Sequence, residues 1–303
     1  MKKIIQVALI FALVISSLQV SAQTDKAWWN GLTPEWKKVI LKLHFKGKDI
    51  NPTEEQLEEV AKMVFLDISG NKDIKSLKPV AQLPLLEVIR CNGSGIESIE
   101  GVEGLINLRQ IDCSDNDNIS SLVPLSELTN IEEVKCGNTM VKSLLPLRSL
   151  VNLQKLDLHY TTVVDLRILK DLKKLETLDV SENVSLYSLD GVNYMGELRD
   201  LNCSKTNIDD LTPLAGLNKL ERVDCSETRV ASLRPIQLNK GIKDINCSDS
   251  EVTANSLDYL LGHRQLTMIR CKNIEISDKE ITFFEEQLQR RNPDATVIIT
   301  SKK

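Results

Sequence analysis

Aromatic side chains make up only 4% of this 303-residue chain, against 42% hydrophobic residues overall, so aliphatic side chains must build the core. A base-stacking platform for nucleic acid needs more aromatics than that. Histidine is scarcer still: His44, His159 and His263 are the only three, and no two stand at a metal-ligand spacing such as HExxH. A histidine metal site is not expected. Basic residues do not outnumber acidic ones; the formal charge is −5 and the pI about 5.5. A surface of that sign repels phosphate backbones, which excludes DNA and RNA as expected partners. The sequence also lacks G-x-S-x-G, a P-loop, a G-x-G-x-x-G in strand-to-helix context and any thiol–histidine signature, so no enzymatic activity is expected. Past the first 22 residues, no apolar run is long enough to span a bilayer.

Residues 1–22 read as a signal peptide. Lys2 and Lys3 precede the apolar run IIQVALIFALVI, and Val20-Ser21-Ala22 supplies small residues before Gln23. Removing them leaves 36 basic against 43 acidic residues, a mature charge of −7. The first cysteine is Cys91, far from the cleavage site, so a lipoprotein is not expected. The protein is expected to be exported, either secreted or periplasmic.

A fixed period organises the rest. From Leu86, apolar residues fall at offsets 0, 3, 5, 10, 13, 16 and 19, and the frame restarts at Leu108, Ile131, Leu153, Leu175, Leu198, Leu220, Ile242 and Leu266. It runs backward to Met63, giving ten starts at a mean spacing of 22 to 23 residues. Repeat length follows the residue at offset 8. Asn71, Asn116 and Asn183 open 23-residue repeats, whereas Ser94, Thr139, Thr161, Thr206 and Thr228 belong to 22-residue ones. The expectation is that either side chain bonds turn backbone and that the longer amide spans one extra residue. Alternation at offsets 3 and 5 marks a strand. Recurrence every three residues from offset 10 onward marks a tight helical turn, and Pro79, Pro124, Pro146, Pro213 and Pro235 on that segment block a longer helix. No repeat can bury its own apolar side, so neighbours must stack.

The pattern L-x-x-L-x-[LC]-x-x-[NT]-x-I-x-x-L-x-x-L-x-x-L resembles the leucine-rich repeat family, and "LTPLAGLNKL" (211–220) is similar to its internalin-type subclass. The resemblance covers residues 63–276. It implies an α/β solenoid, a right-handed superhelix with a parallel β-sheet on the concave face. A helical N-terminal cap is expected over 23–62 and a helix-strand C-terminal cap over 277–303. In the first, Thr33-Pro34 starts a helix with Trp36, Ile40 and Leu43, and with Trp28 and Trp29, on one face. A second helix starts near Asn51-Pro52 with Leu57, Val60 and Ala61 inward. The rival reading of the three tryptophans is an exposed docking patch. At the other end Ser277-x-x-Glu280 is a capping box, followed by Ile281, Phe284 and Leu288 and a closing strand.

All seven cysteines, Cys91, Cys113, Cys136, Cys203, Cys225, Cys247 and Cys271, occupy offset 5, a slot that Ile68, Leu158 and Val180 fill elsewhere. That interchange favours buried free thiols. Disulfides between stacked neighbours are the alternative, since parallel strands lie about 4.8 Å apart. "DNDN" (115–118) looks like a calcium loop but lacks the glycine and glutamate of an EF-hand, so it reads as the longer turn. No cofactor or metal is expected.

The outward strand positions, offsets 2, 4 and 6 with the adjoining offset 7, are what remains for recognition. They hold Arg90, Asp112, Lys135, Asp157, His159, Tyr160, Asp179, Asp200, Arg222, Asp224, Asp244 and Arg270. Lining a concave sheet, they would form a mixed-charge strip about 40 Å long; the rival reading is that aspartate at offset 4 is solvated spacer. The expected function is non-catalytic protein recognition by an exported binding module. The alternatives are an enzyme inhibitor or a protein binding a cell-surface glycan. No wall-sorting tail or membrane anchor is visible, which favours a diffusible or periplasmic binder. The insert "TANSLDYLLGHRQL" in the repeat from Ile242 is expected as a transition to the cap.

Overall fold

A computed structural model describes residues 24–302; the expected signal peptide lies outside the described residues. Offsets 2 to 4 of each repeat form a strand. These are β1 (Phe65–Asp67), β2 (Val88–Arg90), β3 (Gln110–Asp112), β4 (Glu133–Lys135), β5 (Lys155–Asp157), β6 (Thr177–Asp179), β7 (Asp200–Asn202), β8 (Arg222–Asp224), β9 (Asp244–Asn246) and the longer β10 (Met268–Ile274). A final strand, β11 (Thr296–Ser301), completes one open sheet whose spatial order is the sequence order, with every pairing parallel. The fold is therefore a solenoid. Register is one to one, Leu66 beside Ile89, Ile89 beside Ile111 and Ile111 beside Val134, so each offset becomes a column along the stack.

The first nine strands are three residues long, and the chain turns shortly after them, at offset 7. From Gly70 and Gly93 through Asp115, Asn138, Tyr160, Glu182, Lys205, Glu227 and Asp249 to Asn273, that residue has φ between 48° and 70°. A side-chain-bearing residue held there costs about 1–2 kcal/mol. The ladder offsets the cost, since the offset-7 N–H still donates to the next repeat: Lys205 N to Ser226 O at 2.9 Å and Asn138 N to His159 O at 2.7 Å. The returning segment makes a 3₁₀ turn in most repeats, as in Val123–Leu125, Leu145–Leu147 and Thr212–Leu214, with proline in its first positions, whereas the repeat from Leu86 returns through plain turns. Proline lacks an N–H, which those positions do not need. The offset-3 and offset-5 columns and the returning leucines fill the interior, with Leu66, Ile89, Ile96, Leu105 and Leu108 fully buried.

The offset-8 residue works differently in the two repeat lengths. Thr139, Thr206 and Thr228 donate to the carbonyl three residues earlier, at 2.6 to 2.7 Å, within their own repeat. Buried Asn116 instead joins two repeats. Its Nδ2 donates to Cys113 O and Ser114 O in its own turn and to Cys91 O in the preceding one, while its Oδ1 accepts from Gly95 N and Ile96 N. Asn183 repeats this on Leu158 and Thr161. The amide thus spans one coil to the next, not one extra residue of its own turn. Asn71 has no repeat before it, and among the described residues its side chain takes a hydrogen bond from Asp73 N alone.

Both ends are covered. Trp29 and Trp36 are buried, and the indole N–H groups of Trp28 and Trp36 donate to Pro79 O and Ser76 O of the first repeat, which excludes a wholly exposed tryptophan patch. A short helix, Lys26–Gly31, precedes the helix Pro34–His44, in which Val39 is buried and Leu43 is exposed, contrary to the inward position expected for Leu43. Thr53 caps the helix Glu54–Val60 through a reciprocal bond with Gln56. At the other end Ser277 and Glu280 cap the helix Asp278–Arg291, whose Phe284 and Leu288 are buried, and β11 pairs with β10. The insert from Ile242 forms a helical turn, Ala254–Leu257, whose buried Ser256 Oγ accepts from Leu233 N at 2.7 Å.

One expectation about the cysteines is corrected. Cys247 and Cys271, at offset 5 of neighbouring repeats with Cα atoms 4.8 Å apart, form a disulfide. The other five are buried free thiols, and burial pushes those of Cys113 and Cys225 up to about 12. Sγ of Cys91 and Cys113 donates to the next strand's carbonyl, at 3.2 and 3.3 Å.

Two measurements check this architecture. Alkylation and mass counting without reductant should label five cysteines only after denaturation, and all seven once reductant is added. In urea titrations Asn116→Ala should cost about 3 kcal/mol, because five backbone partners, most of them buried, lose their bonds, whereas Thr206→Val should cost about 1 kcal/mol.

Candidate interaction face

The columns at offsets 2, 4 and 6 project from the side of the sheet opposite the core. Arg90, Asp112, Lys135, Asp157, Asp179, Asp200, Arg222, Asp224, Asp244 and Arg270 all lie on this face, exposed or half-buried. His159 is two residues past Asp157 on the same face, and Tyr160 stands at the rim where the chain leaves the sheet.

Aspartate at offset 4 is not spacer. Its carboxylate accepts the N–H two residues on and so shapes the exit from the strand. Asp112 takes Ser114 N at 3.1 Å, Asp157 takes His159 N at 3.0 Å, Asp179 takes Ser181 N at 2.9 Å and Asp224 takes Ser226 N at 3.0 Å. Asn202 and Asn246 make the same bond from the same slot, which shows that the turn needs a short acceptor and not a charge. Each of these asparagines also donates across to the preceding carboxylate, Asn202 to Asp179 at 3.0 Å and Asn246 to Asp224 at 2.9 Å.

Most cations on the face are matched by acids one strand away or on their own strand. Arg270 meets Asp244 at 2.7 Å, Arg222 is paired with Asp200, and Lys135 meets Glu133 at 3.0 Å. Among the described residues Arg90 has no carboxylate partner of that kind; its guanidinium lies 5.4 Å from the ring centre of Phe65, an aromatic at offset 2. Between these pairs the face holds open depressions of about 250 Å³ around Asp200, Arg222 and Asp244 and about 390 Å³ around Arg90, Asp112 and Lys135.

His159 is positioned by two neighbours. Its Nδ1 is 2.7 Å from Asp157 Oδ1, and its ring lies against Gly137, where any added Cβ would fall 2.0 Å from Nδ1. Only glycine leaves room there. The signal was present in the sequence, since offset 6 is otherwise mostly serine, but only the ring above it gives the glycine a meaning. Partial burial lowers the His159 pKa, yet the bond to Asp157 and the charges of Asp157, Asp179 and Asp115 outweigh that, so the net direction is upward.

Nothing on the face forms a metal cluster: among the described residues no group of three or more His, Cys, Asp or Glu side chains is placed to hold an ion. No helix among them is long and apolar enough to cross a membrane.

No protein-family model matches the chain, and no curated protein matches it in sequence. Solved structures do. An internalin (InlF) of Listeria monocytogenes superposes with a TM-score of 0.67 at 20% identity, covering 88% of this chain and 68% of that one. Internalin C2 of the same organism gives 0.53 at 22% identity, over 73% and 83%. The functional domain of its InlJ, described as including a cysteine ladder, gives 0.66 at 17% identity, over 88% of this chain and 59% of that one. The fold is that of a leucine-rich repeat protein. The sheet therefore lines the concave side of the leucine-rich repeat solenoid, and the columns described above are its inner face.

The pH behaviour of His159 has a definite sign. Its folded-state pKa is raised, so its contribution to stability is fully present below the ordinary imidazole value and is lost as pH rises through the raised one. Melting curves of wild type and His159→Gln should differ most near about pH 5 and converge near about pH 8.5, on either side of the usual imidazole value of about 6.5.

Proposed function

We propose that this chain is an exported, non-catalytic leucine-rich repeat module that recognises a protein partner along its concave face. The observation that carries this reading is the inner face itself: ten adjacent short strands in strict register present one continuous surface of exposed and half-buried polar side chains. Arg90, Asp112, Lys135, Asp157, His159, Asp179, Asp200, Arg222, Asp224, Asp244 and Arg270 are its contact candidates, with Tyr160 at the rim. A face this long suits a macromolecule, because standard protein interfaces use about 800 Å² from each partner. Its alternating charges supply register and orientation more than raw affinity. Export rests on the N-terminal pattern Lys2, Lys3 and the apolar run before Ala22.

The turn bonds of the aspartates dictate the test. Lysine at these positions would remove both charge and turn acceptor, whereas asparagine keeps the acceptor, as Asn202 and Asn246 do. A variant with Asp112, Asp157, Asp179 and Asp224 all changed to Asn should melt within a few degrees of wild type. In pull-downs from envelope and host extracts it should retain at most a tenth of the partner that wild type captures. Undiminished capture by this variant would remove the inner face from the proposal.

A further inference from the structure

The rim beside the inner face carries a feature that the strand columns do not explain. Across repeats starting at Leu108, Ile131, Leu153 and Leu175, the loops after the strands bound an open depression of about 720 Å³. Met140, Tyr160 and Val184 line it with 56%, 58% and 67% of their surface exposed, and Asp117 and Glu182 stand at its edge.

Tyr160 is the telling residue. It occupies the left-handed offset-7 slot, with φ of 48°, which the other repeats fill with Gly, Asp, Asn, Glu or Lys. A bulky aromatic is among the least suited residues there, so the turn itself does not ask for it. Tyr160 instead places an aromatic ring beside two other exposed apolar side chains, the composition of an interface anchor site. The charge around it has one dominant sign. Asp115 and Asp117 lie on one side and Glu182 on the other, with Glu227, Asp249 and Glu251 continuing the rim. Lys205, bonded to Glu182 at 3.3 Å, and Arg229 are the cations interspersed.

We propose that this rim depression is a docking site for a segment of a partner protein that presents an aromatic or aliphatic side chain flanked by lysine or arginine. The apolar side chain would sit among Met140, Tyr160 and Val184 while the flanking cations meet Asp117 and Glu182. The proposal rests on the reading of the chain as a binding module, and it adds an anchoring contact on the loop rim beside the contacts along the strands.

Random 12-residue peptides displayed on phage and selected on the folded chain provide the probe. Enriched peptides should carry an apolar residue within three positions of at least two Lys or Arg. Tyr160→Asn is the decisive variant, since Asn138 and Asn273 already occupy this slot in other repeats and the change should leave the melting temperature equal or higher. It should weaken the selected peptides at least tenfold, as should the double change Asp117→Lys with Glu182→Lys. The inner-face variant with four Asp→Asn changes should bind them within twofold of wild type. No enrichment, or Tyr160→Asn binding within twofold of wild type, overturns the proposal. Loss of the peptides only on the inner-face variant overturns it too, while leaving the broader reading of the chain intact.

Discussion

The carbonyls that enter each strand set the position of everything else. Glu87 O accepts from both Arg109 N and Gln110 N of the next coil, at 2.8 and 3.0 Å, and Arg109 O accepts from Glu132 N and Glu133 N at 2.7 and 3.0 Å. These shared acceptors fix each coil against its predecessor at the strand entry, and the offset-7 donors fix it again at the exit. Between the two clamps only three residues pair as a strand, and the buried one among them always meets an aliphatic neighbour. The apolar contribution follows the same logic: a fully buried leucine adds about 1.5–3 kcal/mol, but only if the adjacent coil is there to cover it.

This dependence explains what could be read from the chain. Properties repeated from coil to coil were legible: the period, the inward offsets, and the strand and tight-turn segments. So were purely local ones, the helix starts at Thr33-Pro34 and at Ser277 with Glu280. Properties that depend on a residue in the next coil were not. Asn116 announced a longer turn, but that its amide also holds the carbonyl of Cys91 needs the stack. Seven cysteines in one slot looked interchangeable, and only the juxtaposition of Cys247 and Cys271 beside the wider C-terminal repeat separates two of them as a disulfide. Offset 19 was expected to be aliphatic, yet Asn239 fills it, buried, and donates to Leu214 O and Leu217 O of the preceding coil.

The inner face divides its labour in a way that composition hides. Aspartates at offset 4 serve the turn first, and their spare oxygen is open to a neighbouring asparagine or to a partner. Arginines and lysines at offsets 2 and 4 are partly matched by acids on their own or adjacent strands, which neutralises charge locally without emptying the surface of donors and acceptors. Such half-exposed pairs contribute little to stability. They can exchange partners at modest cost, which is the property a recognition surface needs.

The bridge between Cys247 and Cys271 also bears on how the molecule answers tension. Coils that touch only their neighbours peel away singly when the two termini are drawn apart, each releasing its own length of chain. The 24-residue span across the bridge cannot extend that way. Under load the tail end of the spring would keep a closed clasp while the coils ahead of it unwind, a mechanical asymmetry written by one covalent bond.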